Sequence, residues 1–135
     1  MGSHTARLSD RVVLVVDDED LVRQFMTRIM TDAGFRVVQA RDGEEAATYL
    51  QTLGAETIGL VISDITMPRL NGLQLAALMS VHWPAVPILL ASGQGGSPTG
   101  YQGPFLKKPF EPDTLLAAVS RLVPVRAPSR SVTAT

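Results

Sequence analysis

Ile58-Gly59-Leu60-Val61-Ile62-Ser63-Asp64-Ile65-Thr66-Met67-Pro68 is the passage around which the rest of the chain arranges itself. Its run Leu60-Val61-Ile62 is apolar without alternation, which predicts a strand covered on both faces, as in a parallel sheet. An aspartate stands where the run ends. Met67-Pro68 then breaks the strand, and Asn71-Gly72 opens a new element. A carboxylate at the carboxyl end of such a strand lies on the edge where open α/β sheets bind their ligands.

Upstream, Arg11-Val12-Val13-Leu14-Val15-Val16 is a second β-branched run, hence a second buried strand, and it ends in Asp17-Asp18-Glu19-Asp20. The helix that follows carries Val22, Phe25, Met26, Ile29, Met30 and Ala33 as one apolar stripe. Gly34 is its natural stop. Arg36-Val37-Val38-Gln39-Ala40 is short and partly polar, so it belongs nearer the sheet edge. Asp42-Gly43-Glu44-Glu45 has the shape of a capping box. Ala46, Ala47, Leu50 and Leu53 form the stripe behind it, and Gly54 closes the helix.

Downstream, Asn71 caps a third helix carrying Leu75, Ala76 and Met79, which must stop before Pro84. Pro87-Ile88-Leu89-Leu90-Ala91 is a fourth strand, ending in Ser92-Gly93. Residues 93 to 104 hold five glycines and two prolines, too many for a stable helix, and a mobile loop is expected there. Phe105-Leu106-Lys107 is a short fifth strand, followed by Lys108-Pro109. Pro112 fits the first turn of a last helix with Leu115, Leu116, Val119, Leu122 and Val123 as its stripe. Strands and helices thus alternate through short connections, which means a parallel sheet with helices on both faces.

The 135 residues leave room for one domain. Met1-Gly2-Ser3-His4 has the look of a cloning scar. Residues 1–9 are read as a lead, 10–124 as the domain and 125–135 as a polar, disordered tail. A formal net charge of -1 favours neither nucleic acid nor anionic lipid as a partner. Cysteine is absent, which excludes disulfides, thiolate metal sites and cysteine nucleophiles. No run is long and apolar enough to span a membrane or to form the core of a signal peptide, and a cytoplasmic home is expected by default.

Four strands end in residues with chemistry to offer: Asp17-Asp18, Asp64, Ser92 and Lys107-Lys108. A parallel sheet puts all these ends on one edge, so they can converge. Clustered carboxylates repel one another, and a divalent cation relieves the repulsion. Mg²⁺ suits such a site, because it prefers oxygen ligands and keeps waters that a phosphoryl oxygen can replace. Metal, ammonium and hydroxyl are the groups that stabilise a phosphoryl group in transfer, and a carboxylate nucleophile would yield an acyl phosphate. Taken singly, each residue has a plainer reading. Asp17, Asp18 and Asp20 are all suited to capping a helix, and Asp64 to capping a turn. Ser before Gly is common in loops, and chemistry alone does not separate Lys107 from Lys108. His82 reads as a surface residue at a helix end, and Trp83 and the methionines as core filler. The signal is the set.

The set resembles the receiver domains of bacterial two-component response regulators. The likeness runs from about Arg11 to Val123, through Val15-Val16-Asp17-Asp18, Ser63-Asp64-Ile65-Thr66-Met67-Pro68, Asn71-Gly72, Ala91-Ser92-Gly93 and Phe105-Leu106-Lys107-Lys108-Pro109-Phe110. The resemblance implies a flavodoxin-like, doubly wound five-stranded parallel sheet of order 2-1-3-4-5. It implies Asp64 as the phosphoacceptor and Asp17 and Asp18 as an acidic pocket, with Asp18 a direct Mg²⁺ ligand. Thr66 would offer its backbone carbonyl to the metal. Ser92 would be the switch hydroxyl, Phe105 the switch aromatic and Lys108 the phosphate-binding lysine, with a cis Lys108–Pro109 bond. One departure stands out: receivers of this kind carry a helix between the Ser92 and Phe105 positions, and here the fourth helix is expected to be missing or degenerate. Phosphorylation is therefore not expected to drive dimerisation through the usual output face, and a monomer is expected.

The function expected on these grounds is acceptance of a phosphoryl group by Asp64 from a histidine kinase or a histidine phosphotransfer protein, followed by a conformational switch. The chain would be a signalling domain assisting its own phosphorylation and dephosphorylation, either stand-alone or from a hybrid histidine kinase. An interaction module that has kept the fold without phosphorylation is one alternative. An aspartyl-phosphate hydrolase of the haloacid dehalogenase type is another, but it would carry its nucleophile on the first strand with a second Asp two residues on. Asp17 is followed two residues on by Glu19.

Overall fold

Period-two and period-3.6 patterns resolve into five strands and four helices in the computed structural model, which describes residues 11–93, 98 and 100–123. In chain order these are β1 (Val12–Val16), α1 (Asp20–Asp32), β2 (Arg36–Ala40), α2 (Gly43–Leu53), β3 (Ile58–Asp64), α3 (Gly72–His82), β4 (Ile88–Ser92), β5 (Phe105–Lys107) and α4 (Pro112–Leu122). The sheet is wholly parallel, with strand order β2-β1-β3-β4-β5. β3 lies at its centre and is buried at every residue. The partly polar β2 lies at an edge, as its composition suggests. This is the flavodoxin-like, doubly wound architecture.

Alternation along the strands divides the interior into two cores. Val13 and Val15 of β1, Leu60 and Ile62 of β3, Leu89 and Ala91 of β4 and Leu106 of β5 face α1 and α4, meeting Met26, Met30, Leu115 and Val119. Leu14, Val16 and Val61 face the other way, toward Ala46 and Leu50 of α2 and Leu75 and Met79 of α3. Each fully buried aliphatic side chain of this kind contributes about 1.5–3 kcal/mol, so the two helical layers are held by the sheet rather than by helix propensity.

Several element ends differ from the sequence reading by one residue: β1 starts at Val12 and β4 runs Ile88–Ser92. Two members of the expected α1 stripe are not in the core. Phe25 is 44% exposed and leans on the Phe110 ring, at 6.0 Å between centroids. Ala33 is the exposed C-cap residue, after which Gly34 takes φ 101° and ends the helix. Asp42 caps α2 by accepting the Glu45 N–H at 2.8 Å. The reciprocal bond of a capping box is displaced by one residue, because Glu45 accepts from the Arg41 N–H instead. The full box forms at α3, between Asn71 and Gln74. Pro112 occupies the first turn of α4 as expected.

Between β4 and β5 the described residues contain no helix. Residues 94–97 and 99, the middle of the expected mobile loop, lie outside the described residues, as do the N-terminal lead and the tail from 124 onward. Tyr101 anchors the end of this connection. Its hydroxyl donates to the Pro104 carbonyl at 2.9 Å, and its ring lines a groove with Met79, Val86 and Ile88. Among the described residues no helix is long and apolar enough to cross a membrane.

Candidate functional site

At the carboxyl edge of the sheet, three aspartates come together. Asp17 directly follows β1, Asp18 follows it, and Asp64 is the last residue of β3. One oxygen from each lies within 4.8 Å of the other two. Asp17 and Asp64 are buried, whereas Asp18 is exposed and faces solvent. Strand alternation accounts for the pairing of the buried two. Asp64 continues the side of Leu60 and Ile62, and Asp17 that of Val13 and Val15.

The same parity selects the lysine. Leu106 belongs to the core between the sheet and α1/α4, so Lys108 follows on that side and Lys107 on the other. The Lys108 ammonium donates to Asp17 Oδ2 at 2.8 Å and to Asp64 Oδ1 at 3.1 Å. Its backbone N–H donates to the Ser92 carbonyl at 2.9 Å, which ties the lysine to the end of β4. The Lys108–Pro109 bond is cis. Lys107 is exposed.

Burial pushes the Asp64 carboxyl above its ordinary range; the Lys108 hydrogen bond and charge pull it back, and the charges of Asp17 and Asp18 add to the rise. The raised value agrees with the repulsion expected of clustered carboxylates, but desolvation is the larger cause. Burial pushes the Lys108 ammonium down, yet hydrogen bonds and charges from Asp17 and Asp64 together outweigh it and hold the value up. The lysine is therefore a fixed cation at neutral pH.

The remaining expected site residues surround this group. Ser92 ends β4, is 5% exposed, and stands one residue beyond Ala91, the register partner of Asp64. Phe105 opens β5 opposite Leu90 and is half-buried. Thr66 is exposed in the connection after β3. That connection is closed at its root, where the Gly72 N–H donates to the Ile65 carbonyl at 2.9 Å. A Cβ on Gly72 would run into the Asp64 carbonyl oxygen, so only glycine lets α3 start this close to β3.

Two features escaped the sequence reading. Arg23 is 8% exposed, and its guanidinium donates to the Asp17 carbonyl at 2.9 Å, to Gln39 at 3.0 Å and to Asp20 at 2.8 Å. It holds the backbone of the acidic pocket from below. The available signal was its position three and seven residues before Met26 and Met30, on the buried face of α1. The other is the Asp42–Arg69 ion pair at 2.9 Å, which joins α2 to the connection after β3. Nothing local in the sequence links those two residues.

The donor set fits a divalent, oxygen-preferring cation: three carboxylates, one of them open to solvent, with no nitrogen or sulfur ligand in the cluster.

The family model for the response regulator receiver domain matches residues 13–120. The transcriptional regulatory protein FixJ of Bradyrhizobium diazoefficiens is 32% identical over 82% of this chain and 56% of its own length. The C4-dicarboxylate transport transcriptional regulatory protein DctD of Pseudomonas aeruginosa is 32% identical over 84% of the chain and 25% of its own length. The chain thus spans about half or less of these curated relatives. Among solved structures, the Vibrio cholerae chemotaxis protein CheY4 superposes with a TM-score of 0.72 at 32% identity, covering 84% of this chain and 98% of that one. CheY in the CheX–CheY–BeF3–Mg²⁺ complex of Borrelia burgdorferi gives 0.75 at 27% identity, covering 83% and 88%. With the sheet order, the acidic edge and these matches in hand, the chain belongs to the response regulator receiver domains of two-component signalling.

Proposed function

We propose that the protein accepts a phosphoryl group on Asp64 from a phosphohistidine of a histidine kinase or histidine phosphotransfer protein. The observation that carries this reading is the Lys108 ammonium bridging Asp17 and Asp64 within a three-carboxylate cluster at the sheet edge. A carboxylate oxygen of Asp64 attacks phosphorus, and the P–N bond breaks as the P–O bond forms. The electron pair of the broken bond returns to the imidazole nitrogen; because the donor reacts with its other ring nitrogen protonated, the leaving group is a neutral histidine and the product an acyl phosphate. Asp17, Asp18, Asp64 and the Thr66 carbonyl would hold Mg²⁺, which when bound offsets charge on the phosphoryl oxygens. Lys108 exchanges its bond to Asp64 for one to a phosphoryl oxygen, a reading supported by its ammonium lying 3.1 Å from Asp64 Oδ1. Ser92 donates its hydroxyl to another, and that pull is passed to Phe105 as the switch. The relative carrying BeF3 and Mg²⁺ in its complex supports the same chemistry here.

Intact-mass spectrometry after incubation with acetyl phosphate and Mg²⁺ tests the assignment. One phosphoryl adduct is expected on the wild type and none on Asp64→Asn. Lys108→Ala should label at least tenfold more slowly, as for loss of one preorganised charge donor, with Lys107→Ala close to wild type. Labelling of Asp64→Asn at another residue would overturn the choice of nucleophile. Rapid turnover without an adduct would make the protein a hydrolase, and no reaction at all an interaction module.

A further inference from the structure

We infer that the Asp42–Arg69 ion pair is a latch that positions the loop of residues 65–71, and with it the Thr66 carbonyl, for the divalent cation of the acidic cluster. The inference rests on the site reading just proposed and names two positioning residues for it.

Arg69 has φ 64° and is the one described non-glycine residue in the left-handed region. Glycine adopts that conformation freely and a long side chain does not. The arginine thus sits at a backbone position that glycine would take with less strain, and its side-chain contacts offset that cost. Those contacts centre on Asp42. Asp42 is 6% exposed, and both its oxygens are engaged. Oδ1 accepts the Glu45 N–H that caps α2, and Oδ2 accepts Arg69 Nη2 at 2.9 Å and Nε at 3.2 Å. Glu44 adds a second carboxylate 3.4 Å from Arg69 Nε.

The backbone makes the same connection. The Gly43 N–H donates to the Leu70 carbonyl at 3.1 Å, and a Cβ on Gly43 would run into that carbonyl. The loop therefore has three attachments. Its root closes through Ile65 and Gly72, Met67 is buried in the core facing α2 and α3, and Arg69-Leu70 is fastened to the start of α2. Thr66 lies between the first two, and the third sets the direction in which the loop leaves Met67. Asp18, the exposed carboxylate of the cluster, and the latch residues Asp42, Glu44 and Arg69 line one cleft of about 590 Å³. The latch and Asp18 are thus walls of the same depression, with Pro68 of the loop between Met67 and Arg69 lining it too.

Two variants separate positioning from stability. Arg69→Gly removes the guanidinium while relieving the backbone, so its urea midpoint should stay near that of wild type. Asp42→Asn keeps an oxygen for the α2 cap and loses the charge that holds Arg69. In calorimetric titration of the full chain with Mg²⁺, each variant should bind about tenfold more weakly, the low end for partners lying outside the ligands themselves. The double variant should lose little more than either single one, since both break one contact. Amide exchange at Thr66, Met67 and Arg69 or its replacement should quicken in both variants before any metal is added. Unchanged Mg²⁺ affinity in both, or additive losses in the double variant, would overturn the latch while leaving the site reading intact. A wild type that binds no Mg²⁺ would sink the site reading and the latch with it.

Discussion

Asp64 is held in its place against its own electrostatic preference. Its carboxyl is raised above the ordinary 3.8, first by burial, with Lys108 opposing and the other two aspartates adding. The folded state therefore keeps this proton more tightly than the unfolded chain does. Asp64's contribution to stability is full below the ordinary value and is lost as pH rises through the raised folded value. In metal-free buffer, Asp64→Asn should lack that loss and have a higher urea midpoint than wild type at pH 7. A lower midpoint for the variant would mean that the Lys108 bond outweighs desolvation. The same raised value implies that cation binding weakens in mild acid, since the protonated form of Asp64 offers the metal no charge.

At the scale of elements, the site depends on how closely strands and helices approach. α3 begins against the carbonyl of Asp64, and Gly72 permits the contact. In an unconstrained helix, replacing glycine by alanine gains about 1 kcal/mol. At Gly72 the added methyl meets backbone rather than a flexible side chain, and overpacking of that kind costs about 1–3 kcal/mol. Gly72→Ala should thus be net destabilising in urea unfolding, and should slow labelling of Asp64 by more than the fraction unfolded explains. A stabilised variant with normal labelling would show that the start of α3 yields without disturbing β3. α1 shows a different economy. Its buried Arg23 satisfies three acceptors, and one of them is the carbonyl of Asp17. The helix packs on the sheet and steadies the acidic pocket through one side chain.

For the whole molecule, the doubly wound topology brings the ends of β1, β3, β4 and β5 to one edge, so residues as far apart as Asp17 and Lys108 make a direct bond. Because that edge gathers like charges, a ligand that neutralises them must stabilise the fold by mass action. At a Mg²⁺ concentration 100 times its dissociation constant the gain is about 2.7 kcal/mol, readable as a rise in thermal midpoint relative to EDTA. Asp18→Ala should lose most of that rise while keeping the metal-free midpoint, since Asp18 is exposed and outside the buried ion pairs. An equal Mg²⁺ shift in the variant would remove Asp18 from the ligand set.

Much of this was legible in the order of residues. Unalternated apolar runs named the buried strands, glycines and Asn71 marked helix ends, and the alternation of elements dictated a parallel sheet whose carboxyl ends share an edge. Those are local properties: pattern and turn chemistry act within a few residues, and the parallel rule then leaves few topologies. Phe25 and Ala33 were misplaced because periodicity shows which residues share a helix face but not how wide the covering sheet is. Arg23 was hidden for a related reason, as a charge on an apolar stripe reveals nothing of the acceptors waiting for it. Chemistry alone left Lys107 and Lys108 open and the resemblance pointed to Lys108, but the physical reason, the parity of Leu106, lies in the packed core. The bond between Asp42 and Arg69 required α2 to lie beside the connection that follows β3. Both are facts of tertiary packing, since distances between residues remote in sequence exist only once the sheet has assembled.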